Sequence, residues 1–237
     1  QEVIITGVDI TSYGPDLPGS PSLGTLCQKI LNNVPDLKRL RLSSIDSIET
    51  DEALFDMVTS DMRMMPHLHL SLQAGDDMIL KRMKRRHLRQ DAIDFGNKIR
   101  AVRPDCVFGA DIITGFPTET EEMFQNTLNL VEEMDLTYLH VFPYSERPDT
   151  PAARMPQVEP KVRKERAARL RALGEKQVEK FMKGQLNKPL KVLVEKDNRG
   201  HSEHYLPVTF SESQPEGAIV DATIVSIESG ICKAVTQ

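Results

Sequence analysis

Tryptophan is missing from the 237 residues, aromatic residues make up only 5%, and cysteine occurs three times. Cys27, Cys106 and Cys232 lie far apart and form no CxxC or CxxxCxxC pair. That spacing excludes a thiolate cluster site built by this chain alone. An odd count in a chain of this size also excludes a disulfide framework. Cys27 on a helix face and Cys106 at the start of an apolar strand read as small buried hydrophobes. No apolar run approaches the roughly 20 residues that cross a bilayer, and no signal peptide is present; the expectation is a soluble, cytoplasmic protein without membrane partners. Neither a Walker loop nor GxGxxG occurs, which excludes those two phosphate-binding designs. The net charge of −5 argues against an overall attraction to nucleic acid and leaves only local basic patches. Two stand out: Lys81 to Arg89 and Lys161 to Arg171.

What is there is a strand–helix alternation over the first two thirds of the chain. Strand-like runs at Glu2–Thr6, Leu40–Ser43, His67–Leu72, Cys106–Thr114 and Leu136–Phe142 are separated by helical patterns at Leu23–Leu31, Ala53–Val58, Asp77–Met83 and Gln90–Val102. Thr118 and Glu121 have the spacing of a capping box, which predicts a helix from there to about Met134. Such alternation implies a parallel sheet with covering helices. Five strands do not close an eight-stranded barrel, and the chain begins at Gln1 directly in a strand; the expectation is an incomplete (β/α) barrel with at least one βα unit ahead of Gln1. Tyr144–Glu159 reads as a loop and Glu159–Met182 as a charged helix. After Gly184 the pattern changes to short strands at Leu190–Glu195, Tyr205–Phe210, Ile219–Ile227 and Ile231–Val235, a small all-β module. The expected division is 1–184 and 187–237.

Ligands of open α/β sheets bind beyond the C-terminal ends of the strands, and those ends are polar here. They carry Gly7-Val8-Asp9, Ser43-Ser44-Ile45-Asp46, Ser71-Leu72-Gln73, Thr114-Gly115-Phe116-Pro117 and Phe142-Pro143-Tyr144-Ser145 before Arg147. Asp111 falls inside an apolar strand, where an ionised carboxylate must be bonded or paired, so it is the leading functional candidate. His67 and His69, at i and i+2, share a strand face. Without a third ligand they read as packing residues and not as a metal site.

Five segments follow one family's order and spacing: TGVDITSYG (6–14), RLSSIDSIE (41–49), HLSLQAGDDMILKRMKRRH (69–87), GADIITGFPTETEEMF (109–124) and HVFPYSERPDTPAARMP (140–156). The chain resembles the radical S-adenosylmethionine (SAM) methylthiotransferases, within them the branch acting on N6-threonylcarbamoyladenosine in tRNA. From residue 187 onward it is similar to a TRAM domain, a small RNA-binding β-barrel. The resemblance implies SAM as cofactor and two 4Fe-4S clusters in the full-length enzyme, with the cluster ligands absent from this chain and the fragment inactive alone. It implies that Gly7 and Asp9 meet the methionine amino group, with Ser43 in the same cofactor set. Ser71 and Gln73 lie near the ribose and methionine carboxylate, and Ile113, Gly115, Phe142 and Tyr144 near adenine. Asp111 and Arg147 face the chemistry. The tRNA anticodon stem-loop is the implied partner, touched by Lys81, Arg85, Arg86, Arg166, Lys191, Lys196 and Arg199. Asp149 stands where the family commonly has glycine. Alternatives are a stand-alone RNA-binding module, a methylthiotransferase for another tRNA base or a ribosomal protein, and an unrelated barrel enzyme such as an aldolase, which would want a strand lysine that is not found. A second copy pairing at the open barrel edge is a further expected partner.

Overall fold

The computed structural model describes residues 1–236; Gln237, the last residue of the expected β module, lies outside them. The first part alternates β1 (Glu2–Ile5), α1 (Leu23–Asn33), β2 (Arg39–Leu42), β3 (Ser44–Ile45), α2 (Glu52–Ser60), β4 (His67–Gln73), α3 (Asp77–Arg82), α4 (Arg89–Val102), β5 (Val107–Thr114), α5 (Glu121–Glu133), β6 (Leu136–Pro143) and α6 (Pro160–Gly184). Every strand pair in it is parallel. β1 pairs with β2, β3 to β6 pair in sequence, and a bridge from Leu40 to Met64 ties β2 to the approach of β4. The second strand of the sequence reading is thus interrupted at Ser43. Strand period two sorts the side chains. Leu40, Leu42, Leu68, Leu70, Leu72, Phe108, Ala110 and Ile112 are buried with the helices in the main core. The alternate residues, Arg39, Arg41, His67, His69, Gly109, Asp111, Tyr138 and His140, share the inward, concave face.

Side-chain caps set several helix starts: Ser22 accepts from the Thr25 N–H before α1, and Asp51 from Leu54 before α2. The expected capping box at Thr118 and Glu121 is not built. Thr118 sits at φ +68°, outside any helix entry. The cap of α5 is Thr120, whose side chain accepts from the Met123 N–H, while Glu121 turns to Arg166 and Arg169.

The second part is a closed five-stranded barrel of β7 (Pro189–Val194), β8 (Arg199–Ser202), β9 (Pro207–Phe210), β10 (Ile219–Glu228) and β11 (Ile231–Thr236). β8 is absent from the sequence reading, because its RGHS has no apolar alternation to betray it. Residues of α6 enter both cores: Leu170 and Leu173 pack in the main one, and Val178, Phe181 and Met182 in that of the small barrel.

The small barrel packs where the parallel strands begin. Arg39 donates to the carbonyl of Lys191 at 2.8 Å, and Arg41 to that of Glu203 at 3.2 Å. Tyr138 donates to the His204 carbonyl at 2.9 Å. Tyr205 stacks on His67 with ring centroids 5.5 Å apart and lies 4.9 Å beneath the Arg41 guanidinium. Both arginines are 2% exposed, and their counter-charge is Glu2, 3.5 Å from Arg39 and 3.2 Å from Arg41. Glu2 also accepts from His201 at 3.1 Å. Among the described residues no helix is long and apolar enough to cross a membrane.

Burial alone would raise the Glu2 carboxyl, but bonds from His201 and Arg41 outweigh it and hold the group down at about 2, from 4.5. The folded value lies below the unfolded one. The stabilisation is therefore complete above pH 4.5 and is lost as the pH falls toward 2, about 3 kcal/mol in all. Glu2→Gln is expected to flatten that dependence and to cost about 3–5 kcal/mol at neutral pH, since two buried guanidiniums lose their partner. Urea unfolding of both proteins across pH checks this; equal midpoints would contradict it.

Candidate functional site

Two hollows open at the C-terminal ends of the strands. The first, about 310 Å³, is polar and lined by Asp9 and Thr11 after β1, Ser44, Asp46, Glu49, Ser71 and the Lys84–Arg86 run after α3. Arg85 is pinned there, donating to Asp46 at 2.7 Å and to the Ser71 carbonyl at 2.9 Å. Burial works against ionisation of Asp46, yet bonds from His87 and the Ile48 N–H and the charge of Arg85 hold its carboxyl below the usual range. Asp9 binds the Ser12 hydroxyl at 2.7 Å and is exposed at the rim. Beside this hollow the Ser43 hydroxyl is buried without a hydrogen-bond partner among the described residues. Such a group is costly unless something satisfies it.

The second hollow, about 450 Å³, is more apolar. It is lined by Gln73, Asp111, Ile113, Phe142, Tyr144, Ser145 and Arg147, among others. Phe142 is 51% exposed, an aromatic face left without cover. Gln73 ends β4 at φ +67°, a conformation that costs a non-glycine residue energy and here turns the chain at the rim. Asp149 likewise adopts φ +67°, so aspartate keeps the left-handed turn in which glycine is easiest.

Asp111 meets the expectation that its charge be bonded. One carboxylate oxygen accepts from His69 Nε2 at 2.9 Å and from His140 Nδ1 at 3.1 Å, and the other accepts from Ser44 at 3.3 Å. Burial raises this carboxyl, but the two imidazoles outweigh that and lower it. His67 is the packing residue the sequence suggests, edge-on to Tyr138 and stacked on Tyr205. Burial pushes its ring down to about 3, so it stays neutral. His69 is more than packing, and sequence reasoning missed its companion His140. The available signal was parity: His140 is two residues from both Tyr138 and Phe142 on one strand face.

The remaining candidates divide. Gly7 and Gly115 line neither hollow. Gly115, at φ +69°, shapes the loop after β5; a Cβ there would lie 2.4 Å from Arg163. Its N–H donates to Glu119 at 2.8 Å. Arg163 in turn bonds the Tyr144 carbonyl at 3.2 Å. The loop and α6 are joined by Arg166, which donates to the Glu119 carboxylate at 2.8 Å and its carbonyl at 3.0 Å. Arg166 is 5% exposed. It is therefore corrected from an RNA contact to the partner of a buried carboxylate. Arg85 is half-buried and engaged as described, and Lys191 pairs with Asp221 at 2.6 Å. Lys81, Arg86, Lys196 and Arg199 are exposed, Arg86 in an ion pair with Glu49. Cys27, Cys106 and Cys232 are buried, and burial pushes their thiols up to about 12, 12 and 11.

Comparison with known proteins places this arrangement. The sequence profile of the Radical SAM superfamily matches residues 1–131. A threonylcarbamoyladenosine tRNA methylthiotransferase of Rickettsia prowazekii is 54% identical over 235 residues, covering 99% of this chain and 56% of that protein. The protein of the same name from Bacillus subtilis is 32% identical over 236 residues, 95% of this chain and 52% of that one. A tRNA-2-methylthio-N(6)-dimethylallyladenosine synthase of Roseobacter denitrificans is 34% identical over 246 residues, covering 100% and 55%. The chain thus spans about half the length of the curated relatives it matches. Among solved structures, the radical SAM enzyme coproporphyrinogen III oxidase from Escherichia coli shares the fold, with a TM-score of 0.50 at 16% identity over 79% of this chain and 46% of that one.

Glu119→Ala is expected to destabilise the chain by about 3–5 kcal/mol by leaving Arg166 buried without its main partner. The double substitution Glu119→Gln, Arg166→Met should recover most of that loss, because no buried charge remains. Denaturant midpoints of the single and double variants test the pair; additive losses would contradict it.

Proposed function

The chain belongs to the radical SAM superfamily, and from that premise we propose that it is the SAM- and RNA-facing part of a methylthiotransferase. Its product would carry a methylthio group on C2 of N6-threonylcarbamoyladenosine, beside the anticodon of tRNA. The observation that carries this reading is that the correspondence with a relative of that name runs through both the parallel sheet and the small barrel. The division into 1–184 and 187–237, the second part acting as a TRAM-like RNA-binding barrel, belongs to the same proposal.

The rim fits SAM by the chemistry of its groups. Asp9 offers a carboxylate to the methionine ammonium, and Ser43 has an unused buried hydroxyl. Ser71 and Gln73 face the ribose and the methionine carboxylate. Ile113 and the exposed ring of Phe142 give adenine an apolar seat, with Tyr144 closing its edge. Asp111 and Arg147 line the same hollow, where the substrate base would lie. SAM, when bound with a reduced iron–sulfur cluster, supplies the radical and methyl chemistry of this family. The chain's own cysteines do not fit such a cluster: they are buried, scattered over two cores, and hold their protons. This chain's contribution is recognition and positioning, and its place of action is the cytoplasm, where tRNA is.

Lys81 and Arg86 lie by the rim, whereas Lys196 and Arg199 lie on the small barrel near the other end of the strands. A strand of eight residues separates the two ends by roughly 25 Å. An RNA stem-loop laid along the sheet spans both sets and puts its loop at the rim. The β1 edge, with Val3 and Ile4 exposed, is the place for pairing with a second copy.

Binding of the chain to an anticodon stem-loop, with and without the threonylcarbamoyl group, across a salt series, tests this reading. The expected result is salt-sensitive binding that favours the modified loop, with Lys81→Ala lowering the salt slope by about 1. Absence of binding at low salt, or equal binding of both loops, would overturn it.

A further inference from the structure

Three side chains from three adjacent parallel strands converge on one point of the concave face. His69 of β4, Asp111 of β5 and His140 of β6 each offer a ligand atom, and these atoms all lie within 4.8 Å of one another. We infer that they form a binding site for a divalent transition cation of the zinc class, beside the hollow that Asp111 lines with Gln73 and Arg147.

The donor set is the first argument. Two imidazoles and a carboxylate suit zinc and its first-row neighbours, and three protein ligands leave room for an oxygen ligand from solvent or substrate. Spacing is the second. Metal–ligand bonds of about 2.0–2.1 Å place neighbouring donors of a four-coordinate ion a little over 3 Å apart. The Asp111 oxygen lies 2.9 Å from His69 Nε2 and 3.1 Å from His140 Nδ1, close to that spacing before any adjustment. Each ring, when neutral, can carry its proton on its other nitrogen and so present a lone pair.

The surroundings are built around these groups. The His69 ring lies across Gly109, where a Cβ would sit 2.5 Å from His69 Nδ1. A glycine inside a central strand weakens it, and here it gives the imidazole room to reach Asp111. The two rings pack at 4.4 Å between centroids. Ser44 holds the second carboxylate oxygen, as outer-shell partners of metal ligands do. Access is graded: the side chains of His69, Asp111 and His140 are 8%, 21% and 63% exposed. All three ligands are thus set by the sheet, and His140 is the one that faces the open side.

Tag-free protein, stripped with chelator, should take up one equivalent of zinc by calorimetric titration, and cobalt should give the visible absorption of a low-coordinate nitrogen–oxygen site. Zinc should raise the unfolding temperature by mass action. His140→Ala, at an exposed position, is expected to keep the fold and weaken zinc binding by at least roughly 10–100-fold; His69→Gln should do the same and Asp111→Asn should abolish the cobalt spectrum. A role confined to hydrogen bonding between strands would leave the wild-type protein without stoichiometric uptake. That result, or equal uptake by wild type and His140→Ala, would overturn the inference. None of these readouts depends on SAM or RNA, so the proposed methylthiotransferase reading stands or falls separately.

Discussion

Two guanidinium groups that cannot reach water govern how this molecule is assembled. Arg39 and Arg41 point from β2 into the concave face of a sheet that curves without closing. Burying one charge without compensation costs several kcal/mol, and two side by side also repel. Glu2, on the neighbouring strand, supplies the counter-charge. The remaining donors need acceptors, which come from backbone carbonyls of the small barrel at Lys191 and Glu203. Tyr205 and His67 then fill the space beside them. The small barrel is therefore the floor of the half-barrel, bound through directional bonds that fix its orientation as well as its position.

That floor leaves the other end of the strands free to be a site. The inward residues change character along the strands, from arginine and tyrosine at the floor, through the imidazole–carboxylate group at mid-height, to Gln73, Ile113 and Phe142 at the rim. β5 is the axis of this gradient, carrying Gly109, Asp111 and Ile113 in succession. The loop leaving β5 is held by Glu119, which ties the Gly115 N–H to Arg166. Since α6 carries Arg166 at one end and packs on the small barrel at the other, the rim loop and the floor share one rigid element. The rim loop and the small barrel are thus mechanically coupled through that helix.

Much of this was legible in the chain. The 2-residue and 3.6-residue periods located the parallel strands and most helices, because burial on one face leaves a mark at every turn or pleat. Asp111 stood out because a carboxylate within an apolar strand has few explanations. Short-range signals without burial behind them failed. Thr118 and Glu121 have capping-box spacing, but the loop needs Thr118 in a left-handed turn, so the cap moved to Thr120. β8 was missed since its buried positions are Gly200 and Ser202, which leave no apolar mark. Arg166 looked like its solvent-facing neighbours in a basic helix, and nothing local announced Glu119, 47 residues earlier, as its partner.

The sequence by itself determined the order of elements, the change from a parallel sheet to a small barrel, the buried state of Cys27 and Cys106 and the polarity of the strand ends. These follow from local periodicity and side-chain polarity, which act over a few residues. Only the tertiary structure decided which charges are spent inside the protein, that His140 joins His69 on Asp111, and that the small barrel seals the floor. Those outcomes depend on the register between strands and on hydrogen bonds between residues as far apart as Arg41 and Glu203, distances over which a linear sequence carries no geometric signal.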